Sequence, residues 1–197
     1  MAFVNIDDVG PEHYKKLDYF LPEEIDAQVR DVIPDLFSGK YKTVLYVGAN
    51  HLRQHFLPDF IDDYEKVTVI EIFEANVAFL QEKFADYKIN IMQGDVRNVD
   101  NLVPTDMFDV CFWWHGPEHV SRGEVDDILA RLERQTKSLI VLGMPYGHYE
   151  QGSEYGNDHE CHTWDIYPKY VEVLGYSTNT TGKPDDTLSN MMAWKYL

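Results

Sequence analysis

The chain has 197 residues, 44% of them hydrophobic and 26% charged, which fits about one globular domain and excludes a disordered polymer unable to offset its ordering entropy by burial. Thirty-four acidic residues against 17 basic leave a formal charge of −17. Such a surface repels phosphate backbones and anionic bilayers, so neither nucleic acid nor membrane is an expected partner.

In chain order, the first expected element is a helix over residues 21–37. Pro22 suits a first turn, Glu23 and Glu24 favour the positive helix end, and Ile25, Val29 and Ile33 recur every four residues. Pro34 limits or kinks it. Five β-type runs follow, at 43–47, 67–72, 88–92, 108–113 and 138–142. Several are apolar at nearly every position, as in parallel strands covered on both faces. Between them, residues 74–84 place Val77, Leu80 and Phe84 on one helical face. Residues 121–135 open with the capping-box pair Ser121 and Glu124, ahead of a stripe of Val125, Ile128, Leu129 and Leu132. The connection 94–106 reads as loop with at most a short turn of helix. Residues 165–174 read as helix, and 176–181 and 190–196 as strands joined by turn chemistry at 182–186.

This alternation predicts an α/β fold: a doubly wound, mostly parallel seven-stranded sheet ending in a C-terminal antiparallel hairpin. The expected organisation is one domain over 1–197, with a helical segment at 1–40 ahead of a core at 43–197. No apolar run approaches the roughly 18 residues of a membrane span. Residues 1–8 lack the basic and apolar parts of a secretory signal. With only Cys111 and Cys161 available, the expectation is a reducing, cytoplasmic setting.

In open α/β sheets, ligands bind at the carboxyl ends of strands. The first such junction is Val44-Leu45-Tyr46-Val47-Gly48-Ala49-Asn50, where small residues allow a sharp turn and close approach. The second strand run carries Glu71, about 20 residues beyond the glycine, where an acid can accept both hydroxyls of a ribose. The third junction, Gln93-Gly94-Asp95-Val96, offers a carboxylate and an amide to an adenine edge.

These blocks, with FDVCFWWHG at 108–116, resemble in order and spacing the class I S-adenosylmethionine-dependent methyltransferases. The resemblance spans 43–197, terminal hairpin included. It implies S-adenosylmethionine (SAM) as cofactor, held near Tyr46, Gly48, Ala49, Asn50, Glu71, Ile72, Asp95, Val96, Trp113 and Trp114. It also implies transfer of a methyl group to a small-molecule acceptor. Tyr46 stands where the family usually has an acid, and Gly48 is the one glycine of its motif. That departure motivates an alternative, a SAM-binding module without catalysis. A nicotinamide-dependent oxidoreductase is a weaker alternative, because Gly48 to Arg53 keeps one glycine of G-x-G-x-x-G.

Five of eight histidines fall between 115 and 162, after the fourth and fifth strands. His115 and His119 are the candidate catalytic bases, since imidazole can take a proton from a hydroxyl or amine near neutral pH. Glu118, Tyr146, His148, His162 and Trp164 are candidate substrate contacts, several of them on the long irregular stretch 144–161. No metal is expected: His159-Glu160-Cys161-His162 is not His-Glu-x-x-His, and no second Cys/His pair is visible to complete a site. Cys111, mid-strand, reads as a small buried hydrophobe.

Overall fold

The computed structural model describes residues 22–50, 56–105, 107–153, 156–186 and 189–197, with backbone only for 22–26. Helix α1 (Pro22–Val32) leads into β1 (Thr43–Val47), α2 (Leu57–Asp63) and β2 (Lys66–Glu71). Next come α3 (Glu74–Lys83), β3 (Ile89–Gln93), a 3-10 turn (Val96–Asn98), α4 (Val99–Leu102) and β4 (Phe108–Trp114). A second 3-10 turn (Pro117–His119) precedes α5 (Arg122–Gln135) and β5 (Thr136–Pro145). The chain ends with a third turn (Asp158–Glu160), α6 (Pro168–Glu172), β6 (Ser177–Thr181) and β7 (Asn190–Tyr196).

Among the described residues the seven strands form one sheet in the order β3-β2-β1-β4-β5-β7-β6. The first five strands run parallel. β7 is antiparallel to both β5 and β6. The chain order reverses on leaving β1, so the carboxyl ends of β1, β2 and β4 flank the switch point where such sheets bind ligands.

Period-two alternation sends strand side chains into two cores. Val44, Tyr46, Val69, Phe112 and Trp114 pack beneath α1 and α2, with Val29, Phe56 and Phe60. Leu45, Val47, Ile70, Cys111 and Trp113 pack on the opposite face, against Val125, Ile128, Leu129 and Leu132 of α5. The capping box of α5 forms as its sequence predicts, Glu124 accepting from the Ser121 N–H at 3.2 Å.

The differences from expectation have local causes. α1 stops at Val32, two residues before Pro34, although Ile33 stays fully buried. α2 lies where no helix is expected. Pro58 serves its first turn, and Leu57 and Phe60 are its buried residues. The connection after β3 contains two short helical turns rather than one. α6 shrinks to five residues because Pro168 sets its start. β5 runs longer than 138–142 in both directions, since β4 and β7 hydrogen-bond it along its length.

Candidate functional site

A cavity opens at the carboxyl ends of β1, β2 and β4. It holds about 590 Å³ of atom-free space, part of it open to solvent. Gly48, at the end of β1, has φ +69°, a left-handed conformation that a Cβ would strain. A Cβ there would meet no atom within 4 Å, so the backbone faces open space. The Gly48 N–H bonds the Ile70 carbonyl at 2.8 Å, and the Gly94 N–H bonds the Glu71 carbonyl at 2.9 Å. These two bonds tie the ends of β1, β2 and β3 into one rim.

Glu71 is 3% exposed. Its carboxylate accepts the Asn50 and Phe73 backbone N–H groups, each at 3.0 Å, and the Asn76 amide at 3.5 Å. Burial pushes its pKa up, the two backbone N–H groups pull it back, and the nearby Glu160 charge adds to the rise. A carboxylate has about four acceptor positions, of which three are filled here, leaving room for one hydroxyl rather than two.

Asp95 caps the turn that follows β3. Its Oδ1 accepts the Arg97 N–H at 2.9 Å, and its Oδ2 pairs with the Arg97 guanidinium at 3.2 Å. Arg97 also reaches Glu124 at 2.9 Å, tying the β3 turn to the start of α5.

The β4 end forms the opposite wall. His115 has φ +49°, uncommon for a residue with a Cβ. Gly116 follows because any Cβ there would sit inside the Trp113 indole. The resulting turn brings His115 Nδ1 to 3.1 Å from Glu118 Oε1, and the Glu118 side chain is 1% exposed. A carboxylate held on Nδ1 places that proton there and leaves Nε2 as the basic nitrogen. His119 also lines the cavity. Its Nδ1 lies 3.3 Å from the Cys161 carbonyl, and its Nε2 lies 3.9 Å from carboxylate oxygens of both Glu118 and Glu160.

Asn157, His159 and Glu160 close the cavity from the long connection after β5. Asn50 and Asn157 donate to Glu160 Oε1 at 3.3 and 3.2 Å. That connection is pinned to the β4 loop: the Thr163 N–H and the Trp164 indole N–H donate to the carbonyls of Glu118 and Pro117.

No family model matches the chain, and no curated protein matches it. Solved structures do. A SAM-dependent methyltransferase from Archaeoglobus fulgidus is similar at TM-score 0.64 and 17% identity, over 93% of this chain and 97% of that one. A DhpI complex with S-adenosylhomocysteine (SAH) is similar at 0.64 and 13%, over 93% and 88%. Magnesium protoporphyrin IX methyltransferase from Synechocystis PCC 6803, solved with bound SAM, is similar at 0.60 and 14%, over 88% and 78%. The fold is that of the class I methyltransferases.

Within this methyltransferase fold, the cavity gathers Gly48, Asn50, Glu71, Ile72, Asp95, Val96, Trp113, His115 and His119 from separate stretches of sequence. Tyr46, Ala49 and Trp114 are not brought to it. Strand alternation turns Tyr46 and Trp114 into the α1–α2 core, where Tyr46 meets Phe112 edge-on at 5.0 Å and Trp114 stacks on Phe112 at 5.3 Å. Ala49 is fully buried in the same core.

Of the expected substrate contacts, Glu118 sits directly behind the cavity wall. His162 lies one layer further back, its ring 5.0 Å from His119. Trp164 packs edge-on against Tyr170, and Tyr146 against Tyr167. His148 is on the outer surface, paired with Asp165 at 2.9 Å. Cys111 is fully buried and its thiol is pushed up to about 12, so it is an inert core residue.

Asn157, a polar residue of the long irregular stretch suited to small-molecule recognition, lines the cavity, and so do Arg97, His159 and Glu160, which sequence reasoning does not place there. His159 and Glu160 stand out in sequence as ligand-type residues, but only the fold-back of 146–166 brings their segment to β1.

Proposed function

We propose that the chain is a SAM-dependent methyltransferase acting on a small-molecule acceptor. The observation that carries this reading is the placement of Glu71 and Gly48 side by side on the rim of one cavity, at the ends of neighbouring strands by the switch point of this sheet. The antiparallel β7 between β5 and β6 sets the sheet apart from the nicotinamide-binding order 3-2-1-4-5-6. Neighbours with the same fold are solved with SAM or SAH bound.

The lining fits an adenosyl group. Gly48 leaves backbone open to close approach. Glu71 has one acceptor position to offer a ribose hydroxyl, while Ile72, Asp95 and Val96 would border the base. Bound SAM would supply an electrophilic methyl group on a sulfonium. On the β4 side, Trp113, His115 and His119 would face the acceptor. His115 is the candidate general base: Nε2 would take the acceptor's proton while Glu118 holds Nδ1–H and steadies the ring as it becomes charged. Orienting the acceptor would contribute most of the rate, because in-line displacement needs close alignment.

Calorimetry with SAM and SAH tests this. One-to-one binding with Kd below about 1 mM is expected. A Glu71→Ala change should weaken it by about 1–3 kcal/mol. Absence of heat with either ligand at that concentration would remove the reading.

A further inference from the structure

At the cavity wall, Glu118, His119 and His162 offer one ligand atom each, all within 4.8 Å of one another. They come from distant parts of the chain: the first two from the turn after β4, the third from the fold-back of 146–166. We propose that these three side chains bind one divalent transition-metal ion of the zinc class, with Glu160 as a flanking carboxylate.

The hydrogen bonds around the two imidazoles carry the inference. His162 Nδ1 lies 2.7 Å from the Tyr149 carbonyl, and His119 Nδ1 lies 3.3 Å from the Cys161 carbonyl. A carbonyl only accepts, so each Nδ1 carries the proton and each Nε2 is the basic nitrogen. Metal-ligating histidines share this arrangement, their other ring N–H being held by a carbonyl or carboxylate. His119 Nε2 is 3.9 Å from Glu118 Oε1 and 3.9 Å from Glu160 Oε2, so both carboxylates flank it.

Bonds of about 2.0–2.1 Å to zinc put neighbouring tetrahedral ligand atoms about 3.3 Å apart. A spread of at most 4.8 Å is therefore closed by small side-chain rotations. Two imidazoles with a carboxylate select a borderline ion such as Zn²⁺ over Mg²⁺ or Ca²⁺, which prefer oxygen ligands. The sequence alone argues against a metal because His159-Glu160-Cys161-His162 has the wrong spacing. The fold supplies the missing ligands from Glu118-His119.

His119 is common to this cluster and the cavity wall. An ion there could hold an acceptor oxygen in a remaining coordination position, as a Lewis acid. That role rests on the methyltransferase reading, whereas the metal site does not.

The test uses the full chain after chelation, titrated with Co²⁺ and followed by visible absorption, then with Zn²⁺ and followed by imidazole NMR. The expected result is one ion per chain, with the ring signals of His119 and His162 shifting most among the eight histidines. His162→Ala and Glu118→Gln should each weaken binding about tenfold or more, while His148→Ala leaves it unchanged. Circular dichroism checks folding; if His162→Ala does not fold, Glu118→Gln and the wild-type ring signals decide.

No saturable binding at about 1 mM ion would overturn the site. So would shifts spread evenly over all histidines, or equal affinity in folded variants. SAH calorimetry on the metal-free protein separates the two proposals. Zn²⁺ binding without SAH binding sustains the metal site and defeats the methyltransferase reading. The reverse defeats only the metal site.

Discussion

At the scale of single residues, Glu71 and His115 have two jobs each. Glu71 faces the cavity, but its carboxylate also satisfies the backbone N–H groups of Asn50 and Phe73. Removing it takes the acceptor from those two donors and from the Asn76 amide, at about 1–3 kcal/mol for each one that stays buried without another partner. Glu71→Ala should therefore lower the melting temperature of the ligand-free protein as well as its SAH affinity. An unchanged melting temperature would show that water replaces the carboxylate. His115 holds a left-handed backbone at φ +49°, which Asn tolerates better than most residues. His115→Asn therefore removes the base without straining the turn. Turnover of an identified acceptor should fall about 10²–10⁴-fold, with SAH affinity changed little. Retained turnover would move the proton-accepting role to another group.

At the scale of elements, strands were easier to read than the segments that complete the site. β1, β2, β4 and β5 are buried on both faces, so their apolar runs stand out in sequence. α2 is seven residues long and carries Pro58 and three aspartates, and its apolar positions are too few to establish a period. Nor does an apolar run reveal which way a side chain faces. Tyr46 and Trp113 both lie on strands bordering the switch point, but only Trp113 lines the cavity.

The 146–166 fold-back is held by polar contacts that no periodicity announces. One antiparallel bridge joins Gly147 to Ile166, and a surface cluster binds His148 to Asp165 and Asp185. Asp165 raises the pKa of His148 above 6.5, through its hydrogen bond first and its charge second. The His148 N–H, followed by the Tyr167 hydroxyl, lowers Asp185 below 3.8. The histidine's contribution to stability is thus complete below about pH 6.5 and fades as pH rises through its raised pKa. The Asp185 contribution is present above about pH 4 and fades as pH falls through its lowered pKa. In Asp165→Asn, the His148 ring signal should titrate at lower pH than in the wild type. The melting-temperature gap between the two should be widest near pH 6 and narrow towards pH 8. A gap that does not change over that range would mean the pair contributes nothing to holding the fold-back.

At the scale of the whole molecule, charge is the dominant feature. Ion pairs such as Arg131–Asp127 and Arg134–Asp100 lie on the surface, where each contributes about 0–1 kcal/mol and is weakened by salt. Against them stands a net charge of −17, whose self-repulsion opposes compaction and is also weakened by salt. The two effects have opposite signs, so a salt titration shows which is larger. With twice as many acids as bases, every basic side chain can be paired and 17 acids still remain in excess. Repulsion should win. Between about 0.01 M and 0.1 M salt the screening length falls from about 30 Å to about 10 Å, which reaches from the span of the domain down to the spacing of neighbouring side chains. The melting temperature at pH 7 should therefore rise over that interval and level off beyond it, where only close pairs are left to screen. Scanning calorimetry in KCl, which avoids the exclusion effects of sulfate, measures this directly. A melting temperature that falls across the same interval would mean that the paired surface charges outweigh the acidic excess.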